Sequence, residues 1–381
     1  MNTFEFTFYG KIIFGIGTRN RIRSIIQSNK WKSICMVVDQ GLVNLSIFNN
    51  LIDSFSFDNY TIVECDISEP NYEKLEEKRS EIKNQKIDVF IGIGGGSALD
   101  MAKGLSVLYT NDKDAIDYRG FEKFDKPILP IIAVPTTAGT GSEITPNASF
   151  IDTVEKRKMG INGEAIRPQY AILDPELTLS CPKDPSISAG VDSLVHATEA
   201  FVAKKSNPMA KMFAKEGFQL VFKNLPLLVD DLENIELREK IMYGAFLSAI
   251  ALMNSGTGPA AALSYPLGVH FGVPHGIGGG IFLPHVIQHN IDAGFFDYVE
   301  LYSVGKNINS KESGAKLFIE KICDIWQRLE VSQNLGDFGM DKSDIPLFVS
   351  GAIDLKTALD QNPVPFYENE ISKTLEKLLN D

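Results

Sequence analysis

The sequence predicts an α/β domain built on a parallel sheet, followed by an all-helical domain. Three observations support this division. Short apolar runs alternate with helical segments in the first half, these runs end in turns of small residues, and the apolar spacing is helical from about residue 182 onward. We place the boundary near residue 180, giving an α/β domain at 1–180 and a helical domain at 181–381, with an active-site cleft expected between them.

Four apolar runs in the first half predict the strands. Ile34–Val38 is continuously apolar, as expected of a strand that is buried on both faces, and Thr61–Glu64 is a weaker run. Ile87–Ile93 and Pro130–Val134 are again apolar, and each is followed directly by a turn of small residues. This arrangement is typical of a parallel α/β sheet.

Helical segments fill the spaces between these runs and continue through the second half. Asn71–Lys86 is charged with few apolar positions and predicts a solvent-facing helix, and Ala98–Tyr109 predicts another helix. In the second half, Met209–Leu228 and Leu237–Met253 have helical apolar spacing, and Glu368–Leu379 predicts a last amphipathic helix.

Composition excludes several classes of protein. Of the 381 residues, 44% are hydrophobic and 23% are charged, which is close to the globular average and excludes a disordered chain. The net charge is 37 − 49 = −12, so we expect no nucleic acid partner. The N-terminus lacks the pattern of a signal peptide. The four cysteines lie far apart and form no CxxC pair, which fits a reducing compartment, and we expect a cytoplasmic protein.

The longest stretch without charge predicts a buried core rather than a membrane span. Residues 241–291 contain no Asp, Glu, Lys or Arg. Glycine, proline, asparagine and serine interrupt every window of the roughly 20 residues that a membrane helix requires. We therefore expect this stretch to form the centre of a water-soluble domain.

Two glycine-rich turns predict a site for phosphate groups. The turn at 94–97 (GGGS) follows a strand and precedes a helix, where small residues let the backbone approach a pyrophosphate and the helix N-terminus attracts anions. It matches neither GxGxxG nor a phosphate loop, and a tight turn without a ligand is the alternative. Residues 135–143 (PTTAGTGSE) form a second such turn.

Asp39 at the end of a strand can accept hydrogen bonds from ribose hydroxyls and would repel a 2′-phosphate, which favours NAD over NADP. Its alternative is a turn or helix cap.

One carboxylate and one imidazole are spaced for a metal. Asp192 and His196 are four residues apart, so a helix places both side chains on one face, where they could share a divalent cation. The alternative is a carboxylate–imidazole hydrogen bond on a helix.

Four of the five histidines lie within twenty residues, in the stretch that carries no charge. His270 and His275 are either ligands or core residues with satisfied hydrogen bonds. For His285 and His289 a purely structural role, near the start of a helix, is favoured over a role as ligands.

Taken together, these residues resemble the iron-containing (group III) alcohol dehydrogenases, relatives of glycerol dehydrogenase and dehydroquinate synthase. The resemblance covers nearly the whole chain. It is carried by Ile13–Gly17, Asp39, Gly94–Ser97 with Asp100 and Lys103, Pro135–Glu143, Arg167-Pro168 with Asp174-Pro175, Gly190–His196, and Pro266–Gly268 with Pro274–Gly276.

The resemblance implies a Rossmann-like N-terminal domain that binds NAD(P) and a helical C-terminal domain that binds one Fe²⁺ or Zn²⁺. It implies an oxidoreductase that interconverts a primary alcohol and its aldehyde, and a homodimer. By position, Asp192, His196 and His275 match metal ligands. The expected cofactor-binding residues are Asp39, Asn71, Gly95, Gly96, Ser97, Asp100, Thr136, Thr137, Thr140 and Lys158.

The chain departs from the family pattern at two histidines. The pattern HxxxH, which supplies a fourth metal ligand and a proton-relay residue, is replaced by Ala261 and Tyr265. A catalytic zinc needs only three protein ligands and an open position, so the remaining ligands could still form a site. Tyr265 is a candidate proton donor, or alternatively a packing residue, and His270 is a second catalytic candidate that lines the cleft.

The altered pocket suggests a specialised substrate, by analogy a sugar-acid or phosphonate aldehyde. Lys158, and Arg167 if its side chain reaches the cleft, are the cations that could meet its anionic group. The alternatives are a cofactor contact for Lys158 and a surface ion pair for Arg167. Two alternatives remain: a metal-free descendant that still binds NAD, and a lyase of the dehydroquinate synthase type on the same scaffold.

Overall fold

A computed structural model describes residues 3–8, 10–55, 59–66, 69–302 and 308–380. Contacts divide the chain into two compact units. We call Phe8–Cys181 the α/β unit, and Met1–Thr7 together with Pro182–Asp381 the helical unit. Within the described ranges, every helix is too short or too polar to cross a lipid bilayer.

The α/β unit alternates strands and helices along most of its length. Its strands and helices are β1 (Lys11–Phe14), α1 (Arg21–Ser28), β2 (Ile34–Asp39), α2 (Ser46–Phe55), β3 (Tyr60–Cys65), α3 (Tyr72–Ile82), β4 (Val89–Gly94), α4 (Gly96–Thr110), β5 (Gly120–Phe121), β6 (Ile131–Pro135), β7 (Asn147–Asp152), β8 (Arg157–Asn162) and β9 (Tyr170–Leu173).

Six of these strands form one parallel sheet in the order β1-β9-β6-β4-β2-β3. The predicted parallel α/β sheet is therefore confirmed. The sequence analysis did not predict β1 and β9, because runs of four residues carry too little periodicity to be separated from loops. A second sheet, β5-β8-β7, joins an antiparallel pair to a two-residue strand.

Strand β2 shows why the sheet has helices on both faces. Ile34, Met36 and Val38 belong to the apolar cluster that contains residues of α1 and α2. Cys35 and Val37 point to the opposite face, where they join residues of α3 and α4. Alternate side chains of a strand point to opposite faces, so a continuous apolar run requires a hydrophobic partner on each side.

The helical unit contains no strand among its described residues. Its helices are α5 (Lys183–Val202), α6 (Pro208–Asp230), α7 (Ile235–Met253), α8 (Pro259–Phe271), α9 (His275–Asp292), α10 (Val299–Tyr302), α11 (Lys311–Arg328), α12 (Ile345–Ile353), α13 (Lys356–Leu359) and α14 (Glu368–Leu378).

The N-terminal segment belongs to the helical unit, although the strand–helix alternation assigned all of 1–180 to the first domain. The backbone N–H of Thr7 donates to Asn254 Oδ1 at 2.6 Å, and Asn254 Nδ2 donates to the Thr7 carbonyl at 3.0 Å. Phe6 also stacks on Phe213 with ring centroids 5.7 Å apart. These contacts join residues more than 200 positions apart, so local sequence patterns do not reveal them.

Helix α5 is the buried centre of the helical unit and packs against α6, α7, α8 and α9. The uncharged stretch 241–291 forms the end of α7 together with α8 and most of α9, and most of its apolar side chains are buried. Polar groups on α5 that lie inside this packing, Asp192 and His196 among them, would be costly without partners.

The packing of α6 against α7 gives a stability prediction. A methyl group added at Gly217 would lie 2.6 Å from Ser248 Oγ and 2.7 Å from the Gly244 carbonyl oxygen. We expect Gly217→Ala to lower the free energy of unfolding by about 1–3 kcal/mol, because the two helices would have to separate. Urea denaturation followed by circular dichroism measures this.

The matched control is Gly351→Ala on α12, where the nearest heavy atom would be 3.4 Å away. The added methyl fits there, and we expect unchanged stability or a gain of up to about 1 kcal/mol from helix propensity. Equal denaturation midpoints for the two variants would contradict this account of the α6–α7 contact.

Candidate functional site

The two glycine-rich turns of the α/β unit lie against each other. A Cβ added at Gly95 would lie 3.5 Å from Thr137, and one added at Gly96 would lie 3.0 Å from Thr140 Cγ2. The Thr136 N–H also donates to the Gly94 carbonyl at 2.9 Å. The structure therefore brings together most of the residues predicted to bind the cofactor phosphates.

Asp39 lies beside the first turn. Gly94 has a φ of +149°, and a Cβ there would lie 2.7 Å from the Cβ of Asp39. The carboxylate accepts from the N–H of Gly41 at 2.8 Å and from that of Gly95. Burial raises the pKa of Asp39, although these two hydrogen bonds oppose the shift. Gly94 therefore allows the Asp39 carboxylate and the first glycine-rich turn to occupy adjacent positions.

Helix α4 begins at this turn without a side-chain cap. Its N-cap residue, Gly95, has no side chain to accept from the first N–H groups of the helix. Gly95, Gly96 and Ser97 remain partly exposed while the residues around them are buried. A helix N-terminus with accessible N–H groups and a favourable dipole can hold an anionic phosphate.

A buried network below the second turn holds it in place. Asp100 accepts from Ser142 Oγ of the turn at 2.5 Å and from the Ser149 N–H of β7 at 2.8 Å, so its two carboxylate oxygens link the turn to that strand. Lys103 is fully buried and donates to Ser142 Oγ at 2.8 Å and to the Asn147 carbonyl at 2.7 Å. The sequence marked Lys103 only as part of a family motif, because its partners lie about 40 residues away.

Asn71 and Lys158 lie at the smaller sheet. Ile151 pairs with Lys158 between β7 and β8 and forms an isolated bridge with Asn71. The Asn71 side chain caps α3 by accepting from the Lys74 N–H at 2.7 Å. Lys158 Nζ lies 2.7 Å from Glu69 Oε1, so its charge is compensated within the protein.

Asp192, His196 and His275 of the helical unit form a compact cluster. One ligand atom from each residue lies within 4.8 Å of the others. Asp192 Oδ1 is 3.4 Å from His196 Nε2 and 3.8 Å from His275 Nε2. Among the described residues, this is the only group of three or more His, Cys, Asp or Glu side chains placed to hold a metal ion.

Gly276 allows His275 to reach the cluster. A Cβ at this position would lie 2.0 Å from the Ser188 carbonyl oxygen and 2.8 Å from the Cβ of Asp192. Only glycine therefore lets the first turn of α9 approach α5 this closely. The histidine that precedes Gly276 is consequently directed toward the carboxylate on α5.

The second nitrogen of each imidazole has a different environment. His275 Nδ1 lies 2.5 Å from Ser264 Oγ on α8. His196 Nδ1 is buried and has no hydrogen-bond partner among the described residues. Ser264 was not predicted as a site residue, and no sequence signal would have revealed it, since its contact with His275 depends on how α8 packs on α9.

The cluster fits a divalent cation. Tetrahedral metal ions with bonds of about 2.0–2.1 Å to nitrogen and oxygen separate their ligand atoms by roughly 3.3–3.5 Å, close to the two distances from Asp192 Oδ1. One carboxylate and two imidazoles are donors that suit Fe²⁺ and Zn²⁺. Asp192 and His196 are almost fully buried, and such groups need compensation.

Ala261 and Tyr265, which are predicted to stand in place of two family histidines, lie on α8. The ring of Tyr265 meets the ring of His275 edge-on, with centroids 5.1 Å apart. Ala261 is buried in the first turn of α8. His270 lies in the last turn of α8 against the ring of Phe271, outside the three-residue cluster.

Glu199, which the sequence analysis did not single out, fixes the start of α8. Its carboxylate accepts from Thr257 Oγ1 and the Gly258 N–H, both at 2.8 Å, and from the Ala260 N–H at 2.6 Å. Burial raises the pKa of Glu199, and these hydrogen bonds oppose the shift. A buried carboxylate thereby caps the helix that carries Ser264 and Tyr265.

Arg167, His285 and His289 lie outside the three-residue cluster. Arg167 is buried and forms two hydrogen bonds to Glu164, at 2.7 and 3.0 Å. His289 Nε2 lies 2.9 Å from the Pro365 carbonyl oxygen. His285 lies inside α9 rather than near its start, because the helix already begins at His275.

Comparison with known sequence families covers nearly the whole chain. Residues 10–175 match the family described as iron-containing alcohol dehydrogenase. Residues 186–379 match the C-terminal part of the Fe-containing alcohol dehydrogenase family.

Individual relatives agree with this match. The NAD-dependent methanol dehydrogenase of Bacillus methanolicus is 33% identical over 275 residues, which are 71% of this chain and 72% of the relative. A crystal structure of 1,3-propanediol oxidoreductase has a TM-score of 0.92 at 27% identity, covering 99% of this chain and 100% of that one. The sulfoacetaldehyde reductase of Bifidobacterium kashiwanohense, solved in complex with NAD⁺, has a TM-score of 0.89 at 28% identity and covers 99% of each chain.

The buried network around Lys103 gives a pH prediction. Burial lowers the pKa of Lys103 from 10.5 to about 8. Between these values only the unfolded chain binds the proton, so the contribution of Lys103 to stability rises with pH through this window. We expect the stability of the wild type relative to Lys103→Met to increase by roughly 2 kcal/mol between pH 7.5 and pH 10.

Urea denaturation of both proteins at the two pH values measures this difference, in which other titrating groups cancel. Lys126→Met is the matched control, since Lys126 is exposed and pairs with Asp112. A Lys103 difference that stayed constant with pH, or fell, would contradict the lowered pKa.

Proposed function

This chain belongs to the iron-containing alcohol dehydrogenase family, and we propose that it interconverts a primary alcohol and its aldehyde with NAD as the hydride carrier. As a member of this family it is an oxidoreductase that acts on alcohols or aldehydes. The proposal adds the cofactor, one Fe²⁺ or Zn²⁺ in the helical unit, and roles for individual residues.

The observation that carries this proposal is the cluster of Asp192, His196 and His275. Three donors with ligand atoms within 4.8 Å of one another, in the interior of a unit with few buried charges, are expected where a cation is held. A divalent metal at this position would act as a Lewis acid on the oxygen of an alcohol or aldehyde. The surrounding helices would keep bulk water from these ligands.

The α/β unit provides groups suited to a dinucleotide. NAD would supply the hydride acceptor, or NADH the donor. The N–H groups of Gly96 and Ser97, with the hydroxyls of Thr136, Thr137 and Thr140, would bind its phosphates. Gly95, whose own N–H donates to Asp39, would let the phosphates approach the backbone because it has no side chain. Asp39 would accept from ribose hydroxyls, and its negative charge disfavours the 2′-phosphate of NADP. The relative that was solved with NAD⁺ supports this choice.

The other predicted cofactor residues receive different roles. Asp100 would position the second turn through Ser142, because one of its oxygens accepts from that serine while the other is held by the Ser149 N–H of β7. Asn71 and Lys158 would meet the cofactor from the smaller sheet, with Glu69 orienting the lysine.

We assign the proton step to Tyr265. Its ring packs edge-on against the ring of His275, so Tyr265 is a direct neighbour of a proposed metal ligand. In this assignment the phenolic hydroxyl exchanges a proton with the oxygen of the substrate, which is the role of a general acid and base. His270, further along α8, is assigned to the same site as a lining residue.

We extend the proposal to anionic aldehydes because a relative of nearly the same length is a sulfoacetaldehyde reductase. Lys158 and Arg167, the cations suggested by the sequence, are compensated by Glu69 and Glu164. A substrate anion would therefore have to compete with a carboxylate at either position. Rates with sulfoacetaldehyde, a phosphonate aldehyde and propionaldehyde compare these classes directly.

Removing one ligand tests the metal and the reaction together. In Asp192→Asn we expect Fe or Zn measured by elemental analysis to fall well below one per chain. We also expect the kcat/KM for NADH-dependent aldehyde reduction to fall by roughly 10³-fold, since the neutral amide is a weaker ligand. Asp184→Asn, on the exposed first turn of α5, should leave both values unchanged.

The outcomes separate the alternatives. Equal rates from metal-free and metal-loaded wild type would overturn the metal assignment and favour the metal-free descendant. If NADH is not oxidised with metal present and with any of the aldehydes tested, the proposed dehydrogenase reaction is wrong and the lyase alternative is favoured.

Replacing the tyrosine hydroxyl tests the proton step. We expect Tyr265→Phe to lower kcat by roughly 100-fold with little change in KM and to flatten the pH–rate profile, since a proton donor and acceptor is lost. Tyr243→Phe on α7, whose tyrosine is largely exposed, is the control. A wild-type pH profile in Tyr265→Phe would make Tyr265 a packing residue.

A further inference from the structure

We propose that Ser264 is a positioning residue that fixes the tautomer of His275, with the proton on Nδ1 and a lone pair on Nε2 directed toward Asp192. The inference deepens the proposed function and rests on it where it concerns metal binding. Ser264 lies within the segment where the chain departs from the HxxxH pattern of its family, between Ala261 and Tyr265.

The hydroxyl of Ser264 has two close neighbours. Its Oγ lies 2.6 Å from the carbonyl oxygen of Ala261, on the preceding turn of α8, and 2.5 Å from His275 Nδ1. A carbonyl oxygen only accepts hydrogen bonds, whereas a hydroxyl has one hydrogen to donate and lone pairs to accept with. Two oxygens 2.6 Å apart must have that hydrogen between them, because their lone pairs would otherwise repel.

The direction of the Ser264 hydroxyl determines which nitrogen of the His275 imidazole carries the proton. Once the hydroxyl hydrogen points to Ala261, the Ser264 oxygen can only accept from His275, and Nδ1 must carry the proton. The reverse arrangement, with the hydroxyl donating to Nδ1, forms one hydrogen bond instead of two and places the oxygens of Ser264 and Ala261 in unrelieved contact. The first arrangement is therefore the more stable one.

The consequence appears on the other side of the ring. With the proton on Nδ1, the lone pair of Nε2 faces the Asp192 carboxylate, whose nearer oxygen is 3.8 Å away. Two electron-pair donors at this separation are suited to a shared cation. Ligand histidines generally have the second nitrogen hydrogen-bonded in this way, which orients the ring and fixes its tautomer.

The same support is absent at the other imidazole among the described residues. Among the residues that the structure describes, buried His196 Nδ1 has no hydrogen-bond partner, so this side of the ring receives no support like that of Ser264. The chain also has Ala261 where the family usually has a ligand. With fewer ligands available, a correctly oriented and protonated His275 matters more for metal binding at this site. Ser264 itself is almost fully buried beside Gly278 of α9, so bulk water does not readily replace its hydroxyl.

The tautomer can be measured directly on metal-free protein. Long-range ¹H–¹⁵N correlation spectra of the histidine-labelled full chain, recorded at about pH 8 where an unperturbed imidazole is neutral, distinguish Nδ1–H from Nε2–H. We expect the wild type to show His275 with the proton on Nδ1. In Ser264→Ala we expect the signals to move toward the Nε2–H form, which isolated imidazole side chains favour.

A second measurement on the same proteins gives the metal affinity. Titration of metal-free protein with Zn²⁺ in competition with a chelating dye should show binding weakened by about 10- to 100-fold in Ser264→Ala. Ser255→Ala is the matched control, because that buried serine also donates to a helix carbonyl, Ala251, at 2.7 Å. It should leave both the spectrum and the affinity unchanged.

The outcomes distinguish this inference from the proposed function. A wild-type His275 with its proton on Nε2, or an unchanged tautomer in Ser264→Ala, would overturn the role of Ser264 even if zinc binds. A tautomer that depends on Ser264 in a protein that binds neither Zn²⁺ nor Fe²⁺ would support the positioning role and overturn the metal assignment alone.

Discussion

The site in the helical unit depends on one close approach, that of the first turn of α9 to the middle of α5. At Gly276 the two backbones come so near that a methyl group would overlap the Ser188 carbonyl oxygen. This contact places His275 beside Asp192, and the same helix brings Nδ1 of His275 to Ser264 on α8. A larger residue at position 276 would move the imidazole away from both partners.

Several buried or partly buried charged groups hold a loop, a helix end or a candidate ligand site. Lys103 and Asp100 hold the second glycine-rich turn, Glu199 caps α8, and Asp192 lies between two imidazoles. Burying such groups is unfavourable unless each is hydrogen-bonded or paired. The first two arrangements are complete within the protein, whereas the third presents donors that face one another and are suited to a cation.

The ion pairs formed by Lys158 and Arg167 affect whether these residues can recognise an anionic substrate. Lys158 and Arg167 have sequence positions suited to an anionic substrate, yet each forms an ion pair with a glutamate of the α/β unit. Recognition of an anion at either position would therefore require displacing Glu69 or Glu164. Glu69 lies 89 positions before Lys158, so the sequence could not indicate that pair, whereas Glu164 is only three residues before Arg167.

Local pattern by itself determined the parallel sheet, the helical second half, the glycine turns at strand ends, and the pairing of Asp192 with His196, since these follow from periods of two or 3.6 residues and from spacing along one helix. The motif resemblance added His275 and the family. Tertiary structure alone decided that Ser264 meets His275, that Lys103 is held by Ser142, and that the first residues pack on the helical unit. Each of these contacts joins separate elements, and their geometry depends on packing between helices and loops that no local periodicity encodes.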